Sequence, residues 1–108
     1  MPNNRNALKD LKDLEVVIKA IAHRSRRHVL VVLSARGGRM TAGEIAGRFS
    51  CSWPTTSRHL KQLEEAGLVS VERNGREWVY GLSRERLQQV VGDWLAEFNI
   101  PATERKQS

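Results

Sequence analysis

The chain has 108 residues, with 18 Lys and Arg against 12 Asp and Glu and a net charge of +6. One cysteine excludes an internal disulfide and a zinc site built on several thiolates, and no apolar run reaches the roughly 18 residues a bilayer span needs. The polar start MPNNRNALKDLKD has no signal-peptide core, so the expected location is cytoplasmic, while the basic balance suits a polyanion such as nucleic acid.

Leu8, Leu11, Leu14, Val17, Ile18 and Ile21 recur at three- and four-residue spacing, which predicts an amphipathic helix. The pattern runs on through Val29, Val32 and Leu33 without Gly or Pro. Residues 7–35 therefore read as one long helix, or as two with Ser25 as the second N-cap. Against the split, Arg26 and Arg27 would lie in a first turn, where the macrodipole disfavours cations. Gly37-Gly38 ends the region.

Thr41-Ala42-Gly43-Glu44 is a capping box and predicts a short helix to about Phe49. Ser52 is the expected cap of the next helix, with Pro54 in its first turn, and Gly67 ends it. Val69 and Val71, then Trp78 and Tyr80, alternate with polar residues around Asn74-Gly75. That is a hairpin signal, expected as a type I′ turn. Ser83 caps a last helix with an apolar stripe at Leu87, Val90, Val91, Trp94, Leu95 and Phe98, and Pro101 ends it.

The expected fold is mainly α with a small β-hairpin: a winged helix-turn-helix in one domain over 1–108. The helix-turn-helix spans 41–66 and the wing 69–81. The helices at 7–22 and 84–98 are left to dimerise, and 99–108 form a flexible tail. The dimer seam is expected at Leu8, Leu11, Leu87, Val90, Val91, Trp94, Leu95 and Phe98.

In the second helix of the motif, Thr56, Leu60, Leu63 and Gly67 share one face; Pro54, Thr55, Arg58 and Lys61 lie opposite, with Ser57 and His59 on the flanks. A recognition helix enters the major groove with its N-terminal residues toward the bases, where Arg reads guanine and Ser or Thr several base edges. The candidate DNA contacts are Ser52, Pro54, Thr55, Thr56, Ser57, Arg58, His59 and Lys61, with Arg73 and Arg76 on the wing. The wing arginines either reach phosphates or join Glu72 and Glu77 in a cross-strand charge lattice. The cluster HRSRRH, residues 23–28, either screens phosphates or, the reading preferred, pairs with Asp10, Asp13 or Glu15.

The pieces SRRHVLVVL, MTAGEIAGRF, SWPTTSRHLKQLEEAGLV and NGREWVYGLS resemble the ArsR/SmtB family of bacterial winged-helix repressors. The resemblance implies a homodimeric repressor on a palindromic double-stranded DNA operator. The sequence departs from the family pattern at His23-Arg24, where an Asp-Pro pair is usual, and at Trp53, where Gln often stands. Trp53 packs on the preceding helix, the favoured reading, or touches a sugar or thymine methyl. The family's usual metal ligands are missing: TAGEIAGRF has no Cys or His, and RERLQQVVGDWLAEF has no His. No metal, no cofactor and no enzymatic activity are expected.

Cys51 lies one residue before the helix cap. It reads as a turn residue, with a thiol redox role as the alternative. The effector is unknown. The competing functional readings are a winged-helix protein-interaction module and a thiol-responsive repressor.

Overall fold

The computed structural model describes the backbone of residues 4–98 and the side chains of residues 10–98. The side chain of Leu8 and the tail 99–108 lie outside the described residues.

Residues 7–35 form two helices, α1 over Asn4–Ile21 and α2 over Arg24–Ala35. His23 is the N-cap of α2, and its Nδ1 accepts from the Ser25 amide at 3.1 Å. Ser25 thus lies inside the helix and does not cap it. Arg26 and Arg27 do occupy the first turn, but their guanidinium groups turn back onto the open end of α1. Arg26 donates to the carbonyls of Ala20 and Lys19, and Arg27 to those of Ile21 and Ala22 at 2.8 and 3.0 Å. A helix C-terminus has unpaired carbonyls and favours cations, so the same charges that oppose one dipole complement the other. Two of the three carboxylates expected to pair with this cluster serve elsewhere: Glu15 meets Lys19 at 3.1 Å and Asp13 meets Arg86 at 3.6 Å.

A short strand, β1, spans Arg39–Thr41 and was not expected. It pairs antiparallel with β3, Glu77–Leu82, which pairs in turn with β2, Val69–Asn74, in the order β1-β3-β2. Its one buried side chain, Met40, stands opposite Tyr80. Asn74 pairs with Glu77, so the turn is Gly75-Arg76. Gly75 has φ 66°, and among the described residues no non-glycine residue has positive φ. This is the type II′ pattern, with Gly at the first central position, in place of the expected type I′.

Helix α3 covers Ala42–Ala46, shorter than expected, and opens on the complete Thr41–Glu44 capping box. The Thr41 amide donates to the Glu44 carboxylate, which holds that carboxyl below its ordinary value. Helix α4 runs Trp53–Glu65. It ends on Gly67 at φ 77°, where the amides of Gly67 and Leu68 return to the carbonyls of Glu64 and Leu63, both at 2.9 Å. These are the two bonds of a Schellman motif, and the left-handed residue at its centre favours glycine. Arg86 closes over this end: its Nε donates to the Ala66 carbonyl at 3.1 Å.

The last helix is not uniform. It begins as α5, Arg84–Leu87, capped by Ser83, widens into a π-helical turn over Gln88–Gly92, and resumes as α6, Asp93–Ala96. Leu87, Val90 and Val91 pack partly buried against the core. Trp94, Leu95 and Phe98, expected on the same stripe, are 41, 55 and 63 % exposed. The wide turn changes the phase of the helix, so one apolar stripe in sequence becomes two faces in space.

The fully buried core comes from α1 to α4, β1 and the turn after α4: Val17, Leu33, Met40, Ile45, Leu60, Leu63 and Leu68. α4 is thereby seated on the core by Leu60 and Leu63, with its opposite side open.

Candidate nucleic-acid interface

Ser52 occupies the N-cap position of α4 with extended backbone, φ −63° and ψ 157°, but its hydroxyl does not cap the helix. It donates instead to the Thr55 hydroxyl at 3.2 Å. Thr55 Oγ1 also accepts from Arg58 at 3.5 Å. The hydroxyls at the start of α4 form a chain that lays the Arg58 side chain along the helix surface and leaves the guanidinium exposed.

Ser52, Pro54, Arg58 and Lys61 are exposed, and Thr55, Ser57 and His59 half-buried. Thr56 is the exception among the expected contacts: it is 2 % exposed. Leu60 and Leu63 follow it at helical spacing, so it belongs to the stripe that faces the core. Its hydroxyl lies 3.2 Å from Cys51 Sγ. Thr56 therefore steadies the turn from beneath and is withdrawn from any surface contact. Cys51 is an exposed turn residue whose thiol rests on this buried hydroxyl. Trp53, expected to pack, is 40 % exposed at the first helical position.

Two structures flank α4. On one side β2 packs against it, and the Glu64 carboxylate acts on the half-buried Tyr80 of β3. Burial, aided by that charge, raises the Tyr80 phenol above its ordinary value. At the wing, Arg73 lies over the Trp78 ring, 5.3 Å from its centroid, and donates to the Gly75 carbonyl at 3.1 Å. Glu72, one of the two carboxylates of the expected charge lattice, is held by Arg39 of β1. Arg73 thus has an aromatic cross-strand partner rather than an acidic one. Arg76 is exposed at the turn.

On the other flank stands the start of α2. The His59 ring lies 4.5 Å from the His23 ring, and His59 Nδ1 is 3.4 Å from the Arg26 guanidinium. Burial lowers the pKa of His59, and His23, Arg26 and Arg58 add to the shift in the same direction. This junction was missed in the sequence, although HRSRRH marked its position. One further ring contact ties α2 to the helix-turn-helix: His28 meets the edge of Phe49 at 4.8 Å.

Among the described residues, no group of three or more His, Cys, Asp or Glu side chains could hold a metal ion. No helix among them is long and apolar enough to cross a membrane.

Comparison with known proteins agrees with this geometry. A helix-turn-helix domain family matches residues 21–72. The chain is 40 % identical over 82 residues to the transcriptional repressor SdpR of Bacillus subtilis (strain 168), covering 76 % of this chain and 88 % of that protein. It is 33 % identical over 79 residues to the arsenical resistance operon repressor of Staphylococcus xylosus, covering 73 % and 74 %. The crystal structure of an ArsR family transcriptional regulator superposes with a TM-score of 0.71 at 29 % identity, over 88 % of this chain and 95 % of that one. The likeness runs through most of both chains in each case, and this chain belongs to the ArsR family of winged helix-turn-helix transcriptional repressors.

Proposed function

We propose that the chain acts as a homodimer that seats its two α4 helices in successive major grooves of a palindromic operator and blocks transcription by occupancy. The observation that carries this reading is the open face of α4, where Arg58 is exposed and held in place by Thr55. Arg at that place suits bidentate contact with guanine, and Lys61 one turn later suits a phosphate. Ser52, Pro54, Thr55, Ser57 and His59 are proposed as the surrounding contacts, and Arg73 and Arg76 as wing contacts with the backbone.

The dimer is supported by apolar surface that the protomer leaves uncovered. Leu11 on α1 is 60 % exposed, and Trp94, Leu95 and Phe98 form a second exposed group. Trp94 and Phe98 already stack edge to face at 5.2 Å. A second copy related by a two-fold axis would cover both sets at once and set the α4 helices about one DNA turn apart.

The repressor is proposed to work without a metal at the family's usual positions, because those segments hold no Cys or His. The test is fluorescence anisotropy with duplex from upstream of the protein's own gene against a scrambled duplex, across a salt series. Preferential binding to the upstream duplex, with a steep salt slope, is the expected result. Equal affinity for both duplexes would overturn sequence-specific repression.

A further inference from the structure

We propose that the N-terminal end of α2 is a second phosphate-binding surface, which holds the DNA strand on the side of α4 away from the wing. The inference rests on the reading of α4 as the groove-entering helix. A helix of about 10–12 Å diameter fills a major groove about 12 Å wide, so a phosphodiester backbone runs close along each of its sides. The wing occupies one side of α4. The other side, at His59, is occupied by the start of α2, through His23 and Arg26.

The chemistry of that end fits a polyanion. Arg24, Arg27 and His28 share a face of α2 at three- and four-residue spacing, and all are exposed. The Arg24 side chain makes no hydrogen bond or ion pair with any described residue. From Val16 to Leu63 the sequence holds a single carboxylate, Glu44, and that one is committed to the capping box. Positive charge on α2 and on the N-terminal part of α4 is thus nearly unopposed, the carboxylates of α4, Glu64 and Glu65, standing at its far end. Arg26 and Arg27 answer to the carbonyls that end α1, whereas Arg24 opposes the macrodipole of α2 with no such compensation. A surface that concentrates like charge at some cost to the fold is matched to a ligand of opposite charge.

The test is Arg24→Glu in the full chain, read by anisotropy with a mixed-sequence duplex of about three helical turns over a salt series. Binding is expected to weaken at every salt concentration, and the slope of log K against log salt to fall by about 1 for each protomer's lost contact. The melting temperature should hold or rise, because a carboxylate in the first turn suits the dipole. Arg24→Gln, which removes the charge without reversing it, should also lower the slope. Unchanged slopes in both variants, with the unaltered chain binding normally, would overturn the α2 surface and leave the α4 reading intact. An unaltered chain that does not bind the duplex at all would remove both.

Discussion

The imidazole of His59, on α4, sits 4.5 Å from that of His23, at the head of α2, with the ring planes inclined at 47°. Around them stand Arg26 and Arg58, and every charged neighbour that acts on His59 is a base. The neutral imidazole is the form this surrounding favours, and the pKa falls below 6.5. In the unfolded chain that surrounding is gone, so the unfolded state takes up the proton first as pH falls. The contribution of neutral His59 to stability is complete above about pH 6.5 and is lost as pH drops below it. The urea midpoint should therefore decrease on acidification through this window. His59→Gln, which does not titrate, should flatten that decrease. Equal slopes in the two proteins would exclude His59 as the titrating group.

Arg58→Ala should cost about 1–3 kcal/mol on the operator and relax preference at one base position, since it removes the guanidinium proposed to read a base. Comparison of operator and scrambled duplex by anisotropy measures it. A loss of the same size on both duplexes would reassign Arg58 to the phosphate backbone.

Thr56→Val should behave in the opposite way. It keeps the shape of the buried side chain and removes the hydroxyl beside Cys51. Stability should fall by about 0.5–1.5 kcal/mol, the worth of one hydrogen bond. DNA affinity, measured where the variant is folded, should stay the same. The pair Arg58→Ala and Thr56→Val thus separates the open face of α4 from its seated face.

The division of α4 was legible in the sequence. Leu60 and Leu63 fix the core side, and Thr56 lies on that side by spacing alone. What drew Thr56 into the contact set was the abundance of hydroxyls nearby, which composition cannot sort by direction. The Thr41–Glu44 box and the Gly67 stop were equally legible, because each is a local event within a few residues. β1 was not: three residues with one buried side chain carry no period, and its partner β3 is remote in sequence. The break at His23 failed for another reason. The dipole rule applied to Arg26 and Arg27 was sound, but these side chains answer to the end of α1, which only the tertiary turn brings within reach.

Gly67→Ala should destabilise the fold by about 1–2 kcal/mol, because φ 77° is a left-handed conformation costly for a residue with Cβ. An added Cβ would also stand 3.2 Å from Arg86 Nε, pressing on the group that caps α4. Chemical denaturation measures the change. A variant as stable as the parent would mean that this end of α4 relaxes without cost.

Leu95→Glu with Phe98→Glu should leave a folded monomer, since both side chains are already exposed in the protomer. Sedimentation velocity at micromolar concentration should show the parent as a dimer and the variant as half its mass. Operator affinity should collapse with it. A parent that sediments as a monomer would reject the proposed seam.

The direction in which that seam faces is set by a count of residues. The π-helical turn at Gln88–Gly92 holds one residue more than an α-helical turn would. If the same residues closed into regular α geometry with none removed, everything after them would swing by about 100° around the axis, the angle that one residue takes up. Trp94, Leu95 and Phe98 would keep their identities and their spacing and point elsewhere. A single-residue deletion would remove the extra residue and leave the proposed seam facing as it does; a change that regularised the turn at full length would alter the relative orientation of the two proposed copies, and with it the distance between their α4 helices.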